Sequence, residues 1–570
     1  MNFDDLNVGY APRRHPGQAI WLGLAGFAAT VAVQLLAQTF LAPTPDGEQE
    51  IYRVDLSVAL HAIGHGLHDK LRLAAVLVTG FAAGVVALHH MWRRTSLTEP
   101  FLQLDDNGPQ LLYSENARDD FQRRLFDEAG WGAPTGLYLA PYLPLPYAAE
   151  LKNILVMGAP NSGKTNIVRA LVDQSIARND RILLLCNKGD VTQSFSADEA
   201  ILIAPLHAEG YDLDLAADIS DAASAQQFTV DVIPESKPPF WSDSARSVLT
   251  DVVLNEIATR GREWNARTLL EAALQDTEVI RRAILKIDLS AARLIEGAED
   301  DDRTAAGILT TMRSGVFANL RGLAWASSAI AKERRFSVKR WLSPNYKGPR
   351  TLIAQYSPEN AQLSTLVIGG LIKRITRRLA DPSVPIDPHR RVVLCLDEFN
   401  ALGKVEDIDS ALAVGREKGL CVILGVQNVD LIIKKYGSDM ANAIFGMFQI
   451  KIIGRLEAGE GAKAVSGWMG KRHVSALIPN RTPKSDDKRK HVEETRDIET
   501  YSASRIAKRL GIHSDGARRF VRAIVQAYGQ VYELEWPLTL WRKKREGYVP
   551  AQWVNKIPLV PRPAPPSQSR

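Results

Sequence analysis

The segment Ile154-Leu155-Val156-Met157-Gly158-Ala159-Pro160-Asn161-Ser162-Gly163-Lys164-Thr165 decides the fold. Its last eight residues read G-x-x-x-x-G-K-T, the phosphate-binding pattern of P-loop proteins. The flanks agree with the pattern. Four apolar residues suited to a buried strand lead in, and Asn166 to Leu171 carries apolar residues at helical spacing. Strand, glycine turn and helix start coincide, so backbone N–H groups can close around phosphate oxygens at the positive end of a helix. Gly158, Ala159, Pro160, Asn161, Ser162, Gly163, Lys164 and Thr165 form the expected nucleotide site. Lys164 would reach the β- and γ-phosphates of ATP, and the Thr165 hydroxyl would face Mg2+.

Outward from the loop, apolar runs alternate with helical ones. Arg181 to Cys186 and Ala200 to Ile203 read as buried strands, which indicates a parallel α/β sheet. Between about Ser220 and Leu342 only helical patterns occur, so an all-α domain is expected to be inserted there, at 221–342. The α/β pattern resumes at Thr351-Leu352-Ile353-Ala354, continues with a helix over about Gln362 to Leu379, and reaches Val392-Val393-Leu394-Cys395-Leu396-Asp397-Glu398. An apolar strand ending in Asp-Glu is the second nucleotide motif. Asp397 would hold Mg2+ and Glu398 would polarise the attacking water. A helix is expected over Asp407 to Lys418. The next strand, Cys421 to Val426, ends in Gln427, where a polar amide can sense the γ-phosphate. The expected fold class is therefore α/β: a RecA-like P-loop NTPase domain, at 151–220 and 343–555, with an inserted all-α domain.

Two transmembrane helices are expected ahead of it, at about 19–42 and 73–92, because both stretches are almost wholly apolar and long enough for a bilayer. Arg13-Arg14 before the first and Arg93-Arg94 after the second place both ends in the cytoplasm. Residues 1–94 then form a membrane anchor with a short outer loop, and the ATPase domain is cytoplasmic at the inner membrane. The outer loop holds His61, His65 and His68 on one helical face; interfacial histidines are the preferred reading over a metal site. Residues 95–150 read as a linker with few regular patterns. Its end, Gly136 to Leu139 and Leu143 to Pro146, suggests a short β element. Arg481 to Asp497 reads as an exposed hairpin or loop, and 556–570 as a disordered Pro-rich tail.

A chain of 570 residues exceeds one ordinary domain. With 45% hydrophobic and 24% charged residues it is globular, and a formal charge of +5 does not by itself announce a nucleic-acid binder. Its basic clusters, Lys488-Arg489-Lys490 and Arg542-Lys543-Lys544-Arg545, read singly as solvated faces. Cys186, Cys395 and Cys421 lie in strand-like runs and have no metal-ligand spacing.

Nearly the whole chain resembles the type IV secretion coupling proteins, membrane-anchored conjugative ATPases of the TraD/TrwB type. The matching stretches are Trp241 to Arg246, Phe336 to Leu342, Leu394 to Leu402, Gly415 to Leu420, Gly425 to Gln427 and Tyr436-Gly437. The resemblance implies a homo-hexamer that carries DNA with its bound relaxase to a type IV secretion channel. ATP would sit between subunits, with Arg416 as an arginine finger and Gln427 as the sensor. One departure stands out. Where the family usually has Asp at the end of the second strand, this chain has Cys186 followed by Asn187-Lys188-Gly189-Asp190. Two alternatives accompany the DNA-pumping reading: a receptor or gate that recruits relaxase or protein effectors without processive pumping, and a chromosome-pumping ATPase of the FtsK/HerA type.

Overall fold

The computed structural model describes residues 24–25, 27–30, 78–86, 102–104, 108–296, 303–387, 389–405, 408–414, 416–479, 491–516 and 518–554. It divides into two compact units. One comprises 1–108 and 471–498, the other 109–470 and 499–570.

The larger unit is built on an eleven-stranded mixed sheet. In chain order its strands are β1 Leu111–Tyr113, β2 Ile154–Met157, β3 Arg181–Cys186, β4 Ala200–Ile203, β5 Thr351–Gln355 and β6 Val392–Leu396, then β7 Leu420–Val426, β8 Ile450–Ile453, β9 Gly511–Asp515, β10 Arg518–Ala527 and β11 Gln530–Pro537. The spatial order is β1-β11-β10-β8-β2-β7-β6-β3-β5-β4, with β9 paired to β10 outside this path. From β8 to β4 every pairing is parallel. β8, β10 and β11 then pair antiparallel, and β1 closes the edge parallel to β11.

Strands β2, β4, β6 and β7 carry no charged or amide side chain along their whole length because both faces are covered. Leu155 and Met157 of β2 point into one apolar core, Ile154 and Val156 into the other. Helix α1, Lys164–Ala177, lays Ile167, Val168, Leu171 and Val172 on the second core. The first core takes the apolar side of Ala361–Ala380 and also the helical segment between β4 and β5. That segment runs through Ala222–Val232, Phe240–Arg260, Ala266–Ala273, Thr277–Ile284, Leu289–Leu294 and a 27-residue helix, α2, Arg303–Ala329. It is tied at its base by the short parallel pair Asp212–Leu213 and Arg335–Phe336.

Residues 109–150 differ from the linker expected there. They hold β1, a 16-residue helix at Ser114–Ala129 and the antiparallel pair Thr135–Ala140 with Leu143–Pro146. The helix is easily missed because eight of its residues are charged and only Ala117, Phe121, Leu125 and Phe126 are buried. The helix expected over Asp407 to Lys418 is shorter as well. It covers Ile408–Val414 and is followed by a single 3-10 turn, Arg416–Lys418.

In the smaller unit Lys471–Pro479 is paired with Leu102–Leu104 on one side and His491–Glu499 on the other. The expected membrane spans 19–42 and 73–92 lie for the most part outside the described residues. Their described parts, within 24–30 and 78–86, are helical, with Leu24, Val78, Phe81 and Val86 exposed. Among the described residues no helix is long and apolar enough to cross a membrane. His61, His65, His68, Lys488-Arg489-Lys490 and the tail 556–570 also lie outside them.

Candidate nucleotide site

The glycine loop connects the carboxyl end of β2 to α1, and neighbouring strands fasten it. The Gly158 amide donates to the Val426 carbonyl at the end of β7 (3.1 Å). The Ala159 amide donates to Arg455, just past β8 (2.8 Å), and the Gly454 amide donates back to Met157 (2.7 Å). Gly163 caps α1 with φ +91°, a left-handed conformation in which a side chain is strained. A Cβ there would also lie 2.5 Å from Val521 of β10. Ala159 is buried, while Pro160 and Asn161 are exposed at the loop tip.

The acid pair enters from β6, two strands away. Lys164 Nζ contacts Asp397 Oδ1, and Thr165 Oγ1 donates to Asp397 Oδ2 at 2.9 Å. Burial pushes the Lys164 ammonium down to about 8, against the pull of Glu398. The Asp397 carboxylate can lean this far because residue 425 on β7 is glycine. A Cβ on Gly425 would lie 2.4 Å from Asp397 Oδ1, 2.9 Å from its Cα and 3.1 Å from Lys164 Nζ.

Glu398 has left-handed backbone geometry, φ +61° and ψ 42°, which turns its side chain away from the direction β6 would give it. Two strand ends, those of β7 and β3, receive it. Gln427 Nε2 donates to Oε1 at 2.9 Å, Lys188 Nζ donates to Oε1 at 2.7 Å, and Asn187 Nδ2 donates to Oε2 at 3.1 Å. Burial alone would raise this carboxyl; the hydrogen bonds from Lys188 and Asn187 outweigh it and hold the group below its ordinary value.

The loop, Asp397, Glu398 and Gln427 are thus brought together. Arg416 is not: its turn precedes β7, so the length of that strand, about 20 Å, separates its backbone from Gln427 at the other end. The alternative cation, Arg455, stands beside its own loop through its carbonyl. Sequence reasoning missed the parts played by Lys188, Asn187 and Gly425. Only the departure after Cys186 hinted at the first two. Asp190, the acid that remains there, pairs with Arg169 at 3.1 Å.

The residues fit a nucleotide with its metal. Ser162 Oγ is buried with no hydrogen-bond partner, so the loop holds a polar atom in want of one. The first amides of α1 have no carbonyl behind them in the helix ladder. Thr165 and Asp397 already share one point, as two oxygen ligands of Mg2+ must. Such a loop on a parallel sheet, with an acid pair two strands away, defines a P-loop protein.

Within that class, residues 137–508 match the family described as the type IV secretion-system coupling protein DNA-binding domain. The chain belongs to this family. It is similar to coupling protein TraD of Escherichia coli (strain K12), with 22% identity over 345 residues, or 59% of this chain and 46% of TraD. The chain thus spans about half the length of the curated relative it matches. Among solved structures it is similar to the unbound conjugative coupling protein TrwBdeltaN70, with TM-score 0.61, 19% identity, and 80% of this chain and 98% of that one covered. TrwB in complex with ADP and Mg2+ compares equally well, with TM-score 0.60, 18% identity, and 80% and 99% covered. These structures share the fold.

Proposed function

We propose that the chain is a membrane-anchored ATPase that couples ATP hydrolysis to the transfer of DNA, with its relaxase, into a type IV secretion channel. The observation that carries it is the convergence of Lys164, Thr165, Asp397, Glu398 and Gln427 at the carboxyl edge of one sheet. TrwB structures with ADP and Mg2+ and with an ATP analogue support nucleotide and metal binding.

Residues Gly158 to Thr165 bind the phosphates of ATP, and Lys164 neutralises the β- and γ-phosphates. Thr165 and Asp397 hold Mg2+, which draws charge from the phosphates when bound. Glu398 accepts the proton of the attacking water, and Gln427 orients that carboxylate. Arg416, distant from its own loop, serves a neighbouring subunit in a homo-hexamer. The RecA-like domain at 151–220 and 343–555, with the helical domain at 221–342 inserted, is cytoplasmic, and residues 1–94 anchor the chain in the bacterial inner membrane.

The test is ATPase activity of the full chain with and without single-stranded DNA, beside Glu398→Gln. Activity is stimulated by DNA, and the variant keeps Mg-ATP binding while turnover falls about 10²- to 10⁴-fold. Normal turnover in Glu398→Gln refutes the assignment. Hydrolysis indifferent to DNA favours the receptor-or-gate alternative.

A further inference from the structure

Three neighbouring strands of the parallel sheet begin beside an arginine. Arg181 opens β3, Arg350 stands just before β5, and Arg390 and Arg391 stand just before β6. Because β3 lies between β5 and β6, these starts meet at the amino edge of the sheet, the end opposite the glycine loop. There the arginines line a cleft of about 320 Å³.

Two arginines of the cleft are neutralised. Arg178 donates to both oxygens of buried Glu150, at 2.9 and 2.8 Å, and to Asp180 at 3.0 Å. Arg391 Nε donates to Glu150 at 3.2 Å. Arg181, Arg350 and Arg390 differ, since they hold only backbone carbonyls. Arg181 donates to Trp341 and Ser343 at 2.7 and 2.6 Å, Arg350 to Asn179 at 3.0 Å and Arg390 to Pro385 at 2.9 Å. Among the described residues none of these three meets a carboxylate. Burial pushes the Arg181 guanidinium below its ordinary value, and the like charges of Arg350 and Arg390 push the same way. The other acid on the cleft wall, Asp387, accepts the His389 amide at 2.9 Å. Three unpaired cations against one carboxylate leave the cleft with a charge of +2.

We propose that this cleft binds a phosphate-bearing dianion, either a free phosphate ester or the head group of a phosphatidate lipid. Like charges gathered in a half-buried place repel one another until an anion sits among them. A guanidinium fork matches two phosphate oxygens at once. A phosphate monoester brings three oxygens and a charge of about −1.5 to −2 near neutral pH, whereas a carboxylate brings two oxygens and one charge. The Tyr147 and His389 rings, edge to face at 6.2 Å, give the organic part of an ester a wall to lie against. The site is separate from the nucleotide loop and does not depend on the DNA-transfer reading.

The experiment is isothermal titration of the full chain, its nucleotide loop first filled with Mg-ADP, with inorganic phosphate, dihexanoyl phosphatidate or acetate at one ionic strength. One phosphate binds per chain beyond the loop. Arg350→Gln and Arg390→Gln each weaken it about ten- to 150-fold, the worth of one charge-assisted hydrogen bond. Arg282→Gln, which removes an exposed cation from the helical segment, leaves it unchanged. The melting temperature without phosphate stays at the wild-type value in these variants, and either arginine variant suffices should the other fail to fold. Phosphatidate that binds more tightly than phosphate, and loses as much in the same variants, assigns the lipid source; otherwise the ligand is the free ester. The proposal is overturned if no phosphate binds once the loop is filled, if both arginine variants bind it as the wild type does, or if acetate binds as tightly.

Discussion

Replacing Gly425 with alanine puts one methyl group into the space that lets Asp397 reach the loop. At 2.4 Å from Oδ1 the carboxylate has to move, and at 2.9 Å from the Asp397 Cα the backbone has to move with it, because rotating the side chain does not relieve that contact. Overpacking of this kind costs about 1–3 kcal/mol of stability. The larger effect falls on binding. Asp397 leaves Thr165, and Lys164 Nζ, 3.1 Å from the new methyl, loses its place. A misplaced charge-assisted hydrogen bond is worth about 1.5–3 kcal/mol, so Mg-ATP affinity drops about ten- to a hundredfold. Urea unfolding and titration with a fluorescent ATP analogue, with and without Mg2+, measure the two effects separately. Gly446→Ala, where an added Cβ meets nothing within 4 Å, is the comparator and leaves binding unchanged. A Gly425→Ala protein with wild-type stability and wild-type Mg-ATP affinity refutes the claim that the bare Cα makes room for the acid.

Lys188→Ala removes a cation from Glu398, so the ionised carboxylate loses support, its pKa rises, and the acid limb of ATPase activity moves to higher pH. The Lys188 side chain is 71% exposed, so the pair is worth only about 0.2–1 kcal/mol and the displacement is about 0.1–0.7 pH units, shrinking with salt; a limb that moves to lower pH contradicts the assignment. Arg416→Ala and Lys164→Ala, each inactive alone, regain part of their ATPase activity when mixed, since a finger supplied in trans is worth about 10³–10⁵ in rate. Mixed oligomers that stay inactive, with Arg455→Ala restoring activity in the same assay, assign the finger to Arg455.

Buried parallel strands are legible because nothing polar interrupts them. Val392-Val393-Leu394-Cys395-Leu396 could hardly be anything else, and its terminal Asp-Glu then had to stand at the carboxyl edge beside the glycine loop. The helices before β5 were equally plain from their period. Strand order was not legible, since Ile154 shows no preference for Ile423 and Ile450 over other apolar partners. The antiparallel extension was hidden too. Arg518-Arg519-Phe520-Val521-Arg522 reads as charged surface, yet β10 supplies Val521 against Gly163. Glu398's backbone conformation follows no sequence rule, so the turn of its carboxylate toward Asn187 and Lys188 could not be anticipated from spacing.

The position of β2 has a consequence for how the protein is made. Its two neighbours, β7 and β8, are synthesised long after it, because the helical segment and four further strands intervene. While they are still missing, an all-apolar strand has both edges unpaired, the state most open to wrong pairing with other chains. The acid-bearing strand cannot shield it either, since β6 sits one place further out, beyond β7. Closing so long a loop is slow on entropic grounds. Folding of the nucleotide site therefore waits for the last third of the chain, and a fragment released from the ribosome before Leu420–Val426 carries the complete glycine loop but neither of the strands that flank β2.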